Sequence, residues 1–305
     1  MKVIIDELID NTRIDNYLVE IIPDKSRSKI QAEIKKGQIL INSKIVKPSY
    51  ILKDSDVLEI SDVIFEEKTF LPQPEKIELD VVWEDENMAV INKPSGMLSH
   101  PTTNEMSGTL VNALLYKYGK ENLSTINGEL RRGIVHRLDR NTSGLIMIAK
   151  NDKTHEFLVK EMKEKRFCKK YLAIVRGIVK EDSFEINSPI GRHISQPHKQ
   201  CVRADGKESL TLVTVLERFE NTSLVELTLI TGRTHQIRVH MASIGHPVYN
   251  DTLYGFGKMK IKTEEQVLQS YKLEFTKPFS DERICLEIPK DEKLNKVILV
   301  LKSQS

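Results

Sequence analysis

Aromatic residues are scarce in this chain of 305 residues, at 6% of the total. A surface built mainly from rings that stack on single-stranded bases is therefore not expected. An excess of one charge is also lacking, since the net charge at pH 7 is only +2. Such a small excess does not by itself indicate a nucleic-acid partner. Evidence for one has to come from local clusters of basic residues.

Cysteines and long apolar runs are likewise few. The three cysteines, Cys168, Cys201 and Cys285, form no CxxC pair and no zinc-binding spacing, so we expect scattered, reduced thiols. No apolar run approaches the roughly 20 residues needed to cross a bilayer. The first residues, MKVIIDE, carry acids where a signal peptide has an apolar core. We expect a cytoplasmic protein without a membrane partner.

The chain is long enough for about two domains, with 39% hydrophobic and 30% charged residues. A small first domain is predicted over residues 1–62. Thr12 with Asp15 resembles a capping box before a first helix, although Asp replaces the usual Glu or Gln. Ser26 or Ser28 can cap a second helix. Short strands are then predicted at 39–41, 44–46 and 57–60.

Residues 63–78 show little periodicity and contain Pro72 and Pro74, which predicts a linker. Strands and helices mix over a second domain, predicted to span residues 79–305. Its strands are predicted at 81–83, 88–91, 134–135, 145–149, 171–175 and 225–230. Its helices are predicted from Thr109 onward, over 153–165 and over 234–244. Several strands follow one another directly, which favours an α+β fold with a largely antiparallel, mixed sheet flanked by helices.

The predicted second helix of the first domain has a basic beginning. Lys25, Arg27 and Lys29 lie beside the hydroxyls of Ser26 and Ser28. Basic side chains at a helix N-terminus suit phosphate oxygens. Because Asp24 and Glu33 dilute this charge, the charge pattern alone favours a solvated helix face over a phosphate site.

Residues 12–60 also resemble the S4 RNA-binding domain as a whole. The resemblance lies in Arg13-Ile14-Asp15, in Ser26-Arg27-Ser28, and in the order of the hydrophobic residues and turns that follow. It implies contact with structured RNA rather than chemistry. The contacts that it implies are Arg13, Ser26, Arg27, Lys29 and Lys44.

The densest cluster of polar residues is RRGIVHRLDRNTSG, at residues 131–144, between two apolar segments. Asp139 is its one carboxylate and lies among arginines, which favour the ionised form of a carboxylate. An ionised carboxylate can attack a sugar carbon or take a proton from one. The alternative is a charged surface turn held by local salt bridges.

The same stretch resembles the signature of the RluA family of pseudouridine synthases. Further blocks resemble that family in the expected order: residues 84–96, residues 170–177 and TGRTHQIRVH at 231–240. The resemblance spans residues 80 to about 290. It implies a pseudouridine synthase catalytic domain behind the S4 domain, and no cofactor, since the isomerisation neither oxidises the substrate nor imports a group.

The resemblance also implies roles for individual residues. Asp139 would be the essential carboxylate, either as nucleophile or as base. Tyr171 would place its ring against the flipped uracil and its hydroxyl for proton transfer. Arg238 would pair with Asp139. Arg137 would fill the gap left by the uridine, and Arg140 would contact RNA beside it.

Within the family, residues 98–101, LSHP, most resemble the RluD-type ribosomal large-subunit synthases. This implies 23S ribosomal RNA or its precursor as the partner, with the protein acting as a monomer. The next residues, TTNE at 102–105, depart from that type, which concerns the target site rather than the reaction. No metal site is expected: His235 and His240 are five residues apart, which does not place both on one helical face, and HExxH is absent.

Two other functions use part of the same evidence. A non-catalytic RNA-binding factor in ribosome assembly would need only the S4 domain and the basic patches, and would have no use for Asp139, Tyr171 and Arg238 together. A base-releasing glycosidase would use Asp139 but should pair it with a second acid. The sequence suggests no convincing second acid.

Overall fold

The computed structural model describes residues 1–5, 11–22, 25–62, 71–256, 261, 263 and 265–303. The chain divides into two compact units, Met1–Phe70 and Leu71–Ser305. Residues 63–70 of the predicted linker lie outside the described residues, and the limits 1–62 and 79–305 remain our working division. Within the described ranges, none of the helices is long and apolar enough to span a membrane.

The first unit is a three-stranded antiparallel sheet with two helices. Its elements are β1 (Lys2–Ile4), α1 (Ile14–Ile21), α2 (Arg27–Lys35), β2 (Ile39–Ile41) and β3 (Val57–Ile60), and β3 is the central strand. Ile14 and Leu18 from α1 pack with Ile30 and Ile34 from α2 in one buried cluster. The spacing of three or four residues therefore gives each helix the apolar face that it buries. Ser26 caps α2, as predicted.

Two predictions in this unit are wrong. Arg13, not Thr12, precedes the first helical residue, and no side chain caps that helix. Asp15 does not complete a capping box. Its side chain is fully buried, and it accepts hydrogen bonds from Arg13, Arg27 and Gln31. Residues 44–46 form no strand: Lys44 makes a single bridge to Ile41 after a two-residue turn, and Ile45 and Val46 belong to no strand or bridge.

The second unit is built on a large mixed sheet. Its elements are β4 (Asp80–Glu84), β5 (Met88–Lys93), α3 (Leu110–Tyr118), β6 (Ser143–Ala149), α4 (Asp152–Lys163), β7 (Cys168–Arg176), β8 (Ser183–Asn187), β9 (Ile190–Arg192), β10 (Gln200–Val202), β11 (Leu210–Arg218), β12 (Thr222–Leu229), α5 (Gln236–Ser243), β13 (Leu268–Thr276), β14 (Arg283–Glu287) and α6 (Glu292–Ser303). Thr109 caps α3, as predicted.

The strand order is β4-β5-β6-β13-β7-β12-β11-β8, with β14 beside β13, and β9 with β10 forms a separate hairpin. All neighbours are antiparallel except β6 and β13. The α+β class and the largely antiparallel sheet are therefore confirmed.

Both faces of the central strands are covered, which explains their continuous apolar runs. In β6, Ile146 and Ile148 belong to the cluster packed with α3 and α5, whereas Leu145 and Met147 belong to the cluster packed with α4. Tyr171 of β7 lies in the first cluster with Ile237 of α5. Alternation along the strand thus places Tyr171 on the face that α5 covers.

The predicted strand at 134–135 is wrong. Ile134 makes one isolated bridge to Ile148, and the chain then runs as a loop to the start of β6. The Ile134 N–H instead donates to the Arg131 carbonyl, and the neighbouring Gly133 carbonyl accepts from the Ala149 N–H at the end of β6. Residues 139–142, which we call the carboxylate loop, therefore belong to a long irregular segment that must be held by other parts of the fold.

Candidate active site

The residues predicted to carry chemistry meet at one cavity of about 550 Å³ in the second unit. Asp139 lines it from the carboxylate loop, Tyr171 from β7 and Arg238 from α5. A cavity of this volume is in the range of small-ligand sites. Three separate elements thus bring a carboxylate, a phenol and a guanidinium to one cavity.

Arg238 connects Asp139, which lines this cavity, with a second carboxylate, that of Asp251, behind it. Its Nη1 donates to Oδ2 of Asp139 at 3.0 Å, while Nε and Nη2 donate to the two oxygens of Asp251 at 2.7 and 2.9 Å. Burial opposes the charge on Arg238, but Asp251 and then Asp139 raise the pKa of Arg238 above its usual value. Burial likewise opposes ionisation of Asp251, but Arg238 outweighs it and lowers the pKa of Asp251.

Asp251 was not found from the sequence. It is 4% exposed, and its Oδ1 also accepts the backbone N–H groups of Leu253 and Tyr254. The only local signal is a single acid two residues after the apolar pair Val248 and Tyr249, with Asn250 between them. That signal is weak, because an acid at the end of an apolar segment more often begins a surface turn.

Tyr171 is almost completely buried, with 5% of its surface exposed. Burial raises the pKa of its hydroxyl; a hydrogen bond with Ser270 opposes this effect, and the negative charge of Asp139 adds to it. Lys169 lies two residues earlier on the same face of β7 and also lines the cavity. Burial lowers the pKa of Lys169. Because the pKa of Tyr171 is raised, its hydroxyl keeps its proton at neutral pH.

Two lysines from distant parts of the chain hold the carboxylate loop. Lys93 at the end of β5 donates from Nζ to the carbonyl oxygens of Pro94 and Met97, both at 2.8 Å, and of Arg140 at 3.1 Å. Lys293 of α6 donates to Ser95 Oγ at 2.8 Å and to the carbonyl oxygen of Asn141 at 3.3 Å. Neither lysine was singled out from the sequence.

Lys93 is unusual because its side chain is fully buried. Burial lowers the pKa of Lys93 to about 7, while the nearby Asp139 carboxylate acts in the opposite direction. Its three carbonyl acceptors match the three N–H groups of an ammonium. Further bonds complete the support of the loop: Gly96 N–H to the Arg140 carbonyl at 3.0 Å and Gln266 Nε2 to Thr142 Oγ1 at 2.9 Å.

The two histidines of the 231–240 block have different partners. His235 lines the cavity, with Nε2 at 3.9 Å from Asp139 Oδ2. His240 is fully buried and contacts Thr211 Oγ1 and the Ser188 carbonyl, both at 2.9 Å. Among the described residues, no three histidine, cysteine or acidic side chains are grouped as metal ligands.

Of the two predicted RNA contacts in the second unit, Arg137 and Arg140, only the first lines the cavity. Arg137 is exposed and lines the cavity. Arg140 does not line it, and its guanidinium binds Glu105. Among the basic residues at the end of α4 and just after it, Lys163 and Lys165 line the cavity, whereas the guanidinium of Arg166 is occupied by Glu161 and Glu164.

In the first unit, Arg13 and Arg27 both bind the buried Asp15, each at 3.0 Å. The side chains of these arginines remain 41% and 50% exposed. Ser26, Lys29 and Lys44 are exposed as well. All five predicted contacts thus reach the surface of this unit, but two of them share one carboxylate.

A family model described as RNA pseudouridylate synthase matches residues 87–243, and a model of the S4 domain matches residues 12–58. The chain therefore belongs to the RluA family of RNA pseudouridine synthases, with an S4 domain at its N-terminal side. It is a pseudouridine synthase, an isomerase.

Similar proteins agree with this assignment. An uncharacterized RNA pseudouridine synthase of Bacillus subtilis is 41% identical over 94% of this chain and 93% of its own. The ribosomal large subunit pseudouridine synthase D of Neisseria meningitidis is 35% identical over 96% of this chain and 79% of its own. The solved structure of human RNA pseudouridylate synthase domain containing 1 covers 74% of this chain and 95% of its own, with a TM-score of 0.57 and 26% identity.

Proposed function

We propose that this synthase converts specific uridines of 23S ribosomal RNA, or of its large-subunit precursor, to pseudouridine. Asp139 is the essential carboxylate in this proposal. The observation that carries the proposal is the hydrogen bond from Arg238 to Asp139 in the cavity beside Tyr171. The choice of RNA rests on the relatives of Neisseria and Xanthomonas named ribosomal large subunit pseudouridine synthase D, which align with 96% of this chain.

The reaction needs one carboxylate and a binding site for the freed base. The bond from C1′ of the ribose to N1 of uracil breaks, the base turns, and a bond from C1′ to C5 replaces it. The proton on C5 leaves and one is gained at N1, so the substrate is neither oxidised nor reduced. Asp139 acts either by attack on the anomeric carbon or by abstraction of a sugar proton.

Arg238 and Tyr171 have the same roles whether Asp139 attacks the anomeric carbon or abstracts a sugar proton. Arg238 orients Asp139, because its guanidinium donates a hydrogen bond to one oxygen of the carboxylate. Tyr171 presents a flat ring to the uracil and a protonated hydroxyl for transfer to or from the base. Arg137, exposed at the cavity, takes the place of the uridine in the RNA stack.

The S4 domain holds the RNA in this proposal. The exposed α2 N-terminus with Ser26, together with Lys29 and Lys44, offers N–H groups and positive charge to phosphates. Arg13 and Arg27 contribute through the faces of their guanidinium groups that Asp15 leaves exposed.

A base-releasing glycosidase would require a second acid beside Asp139. Asp251 is the nearby candidate, because Arg238 bridges the two carboxylates. However, both oxygens of Asp251 accept hydrogen bonds from Arg238, and one also caps two backbone N–H groups. A carboxylate bound in this way is a poor proton donor, which favours isomerisation over release of the base.

The proposal is tested by mapping pseudouridines in total RNA from cells with and without the gene. Loss of signals in 23S RNA is expected, with recovery from the wild-type gene and none from Asp139→Asn. The purified Asp139→Asn protein should bind the RNA within a few-fold of wild type, since affinity depends mainly on phosphate contacts. An unchanged 23S map would overturn the proposed RNA, and turnover by pure Asp139→Asn would overturn the proposed carboxylate.

A further inference from the structure

A chain of two side chains connects the β9–β10 hairpin to Asp139. The backbone N–H of Gln200, the first residue of β10, donates to the hydroxyl oxygen of Tyr254 at 2.8 Å. The same hydroxyl lies 2.8 Å from Nδ1 of His235. Since the hydroxyl oxygen already accepts from Gln200, its own hydrogen is free to be donated to His235 Nδ1.

This geometry selects one tautomer of His235. A neutral imidazole that accepts at Nδ1 carries its proton at Nε2. Nε2 faces Asp139 Oδ2 at 3.9 Å, so this tautomer presents an N–H to the carboxylate. The other tautomer would present a lone pair to a negative oxygen, and it would leave the Tyr254 hydroxyl hydrogen without this acceptor.

The surroundings of His235 keep its ring neutral near pH 7. Burial lowers the pKa of His235, and Arg238 and Arg137 add to this effect, whereas the carboxylates of Asp139 and Asp251 oppose it. His235 also has φ +56°, in the left-handed region that few residues other than glycine adopt. The backbone of His235 thus adopts a conformation that costs free energy, and in this conformation the His235 ring lies beside Asp139.

Arg238 and His235 both lie near the same carboxylate oxygen of Asp139. Arg238 Nη1 and His235 Nε2 face Oδ2, while Oδ1 has no hydrogen-bond partner among the residues that the structure describes. The side chain of Asp139 is 16% exposed at the cavity. One oxygen is thus held and the other is open to a bound ribose.

We propose that His235 is a positioning residue, which orients Asp139 through its Nε2–H, and that Tyr254 fixes the tautomer required for this. The proposal rests on the essential role proposed for Asp139. At 3.9 Å the contact from Nε2 to Oδ2 is longer than a hydrogen bond. In this proposal it shortens when the substrate is bound, as catalytic hydrogen bonds commonly do.

The test uses four variants of the full-length protein: Tyr254→Phe, His235→Gln, His235→Asn, and the double variant that combines Tyr254→Phe with His235→Gln. A glutamine amide places an N–H near the position of Nε2, whereas an asparagine amide reaches only the position of Nδ1. We expect His235→Gln to keep kcat within a few-fold and His235→Asn to lose about 10- to 100-fold, the range seen elsewhere when the partner that orients a functional group is removed.

Tyr254→Phe retains the ring, which lies 5.1 Å from the Arg238 guanidinium. It removes the hydroxyl that accepts from the Gln200 N–H and that fixes the tautomer of His235. It should lower kcat by a similar factor with little change in KM. In the His235→Gln background, the same substitution should have no further effect, since glutamine has no tautomers. Additive losses, or wild-type kcat in both Tyr254→Phe and His235→Asn, would overturn the proposal.

A spectroscopic measurement makes the test independent of activity. In ¹⁵N-histidine-labelled protein, His235 (assigned by its loss in His235→Gln) should be protonated at Nε2 and unprotonated at Nδ1 near pH 7, and Tyr254→Phe should give a mixture. Protonation of Nδ1 in the wild type would overturn the proposal even if a variant fails to fold. An active Asp139→Asn protein would refute the proposed function instead, so the two failures are distinguishable.

Discussion

Arg238 binds Asp251 with two parallel hydrogen bonds, from Nε at 2.7 Å and from Nη2 at 2.9 Å. This paired arrangement fixes the plane of the guanidinium. The remaining Nη1 is thereby aimed at Asp139 before any substrate arrives. The orientation of Asp139 therefore depends on a residue that does not line the cavity.

We predict that Asp251→Asn severely lowers activity and destabilises the protein by about 3–5 kcal/mol, the usual effect of breaking a buried ion pair by removing one partner. Asparagine has nearly the same size but cannot satisfy the buried charge of Arg238. The measurements are kcat at saturating RNA and denaturant-induced unfolding. Asp205→Asn is the matched control, because Asp205 also binds an arginine through both oxygens but is exposed; it should change neither quantity appreciably.

The same pair predicts a pH dependence. The folded-state pKa of Asp251 is lowered, so its stabilisation is fully present above the unfolded value of about 3.9 and is lost as the pH falls through the folded value. The stability difference between wild type and Asp251→Asn should therefore shrink in acid. A difference that is constant from about pH 7 to pH 3 would contradict this assignment.

Tyr171→Phe should lose most activity and fold normally. The ring that packs against Ile237 and the sheet is retained, and only the hydroxyl proposed for proton transfer is removed. Single-turnover rates and thermal unfolding give the comparison. Tyr249→Phe is the control: Tyr249 is buried in the same unit, but its hydroxyl accepts from the Ile261 N–H outside the cavity. Wild-type rates for Tyr171→Phe would show that the hydroxyl transfers no proton.

Lys93→Met is predicted to lower activity strongly without a matching loss of stability at neutral pH. The loop loses the ammonium that binds the Arg140 carbonyl, but the fold no longer buries that ammonium. Lys150→Met serves as the control, since Lys150 binds Glu84 and the Asp85 carbonyl rather than the loop. Equal activities of the two variants would mean that Lys93 does not position Asp139.

The lowered pKa of Lys93 fixes the sign of a pH effect. Between about 7 and the ordinary value of 10.5, the unfolded chain holds this proton more tightly than the folded protein. The contribution of Lys93 to stability therefore rises with pH in that window. The wild type should gain stability relative to Lys93→Met as the pH is raised from 7, as measured by urea unfolding. A relative loss would mean that the fold favours the ammonium.

Deletion of residues 1–62 should weaken RNA binding and blur the choice of site while leaving the catalytic centre intact. Each phosphate interaction that the deletion removes should flatten the log–log salt dependence of binding by roughly 0.7–0.9. Since Arg13 and Arg27 share Asp15, most of the change is expected from lysines such as Lys29 and Lys44. An unchanged slope would exclude the S4 domain as an RNA contact. A folded truncation that is inactive at saturating RNA would mean that this domain helps to build the active site.

Elements with a complete local signal were predictable. The apolar run of β6, the Thr109 cap of α3 and the periodicity of α4 each contain the reason for their structure. The strands predicted at 44–46 and 134–135 failed for a common reason. A strand needs a partner along its length, and a short apolar run does not disclose whether one is available.

The candidate site was predictable only as far as contiguous motifs reach. The motifs contain Asp139 and Arg238, and the structure brings both together with Tyr171 at one cavity. Asp251, Tyr254 and Lys293 lie outside those motifs, and their neighbours in sequence give no sign of what they contact. Their importance comes from the tertiary structure alone.

The carboxylate loop forms hydrogen bonds with residues that lie much farther along the sequence. Asp139 contacts a residue 99 positions away, Thr142 one 124 positions away and Asn141 one 152 positions away. Contacts of such high sequence separation form late in folding, because long segments must be ordered first. A collapsed intermediate with its hairpins formed but residues 265–293 undocked would contain the whole motif and still lack a site. Catalysis is therefore a stricter report of completed folding than helix or strand content, and refolding followed by activity should lag behind refolding followed by circular dichroism.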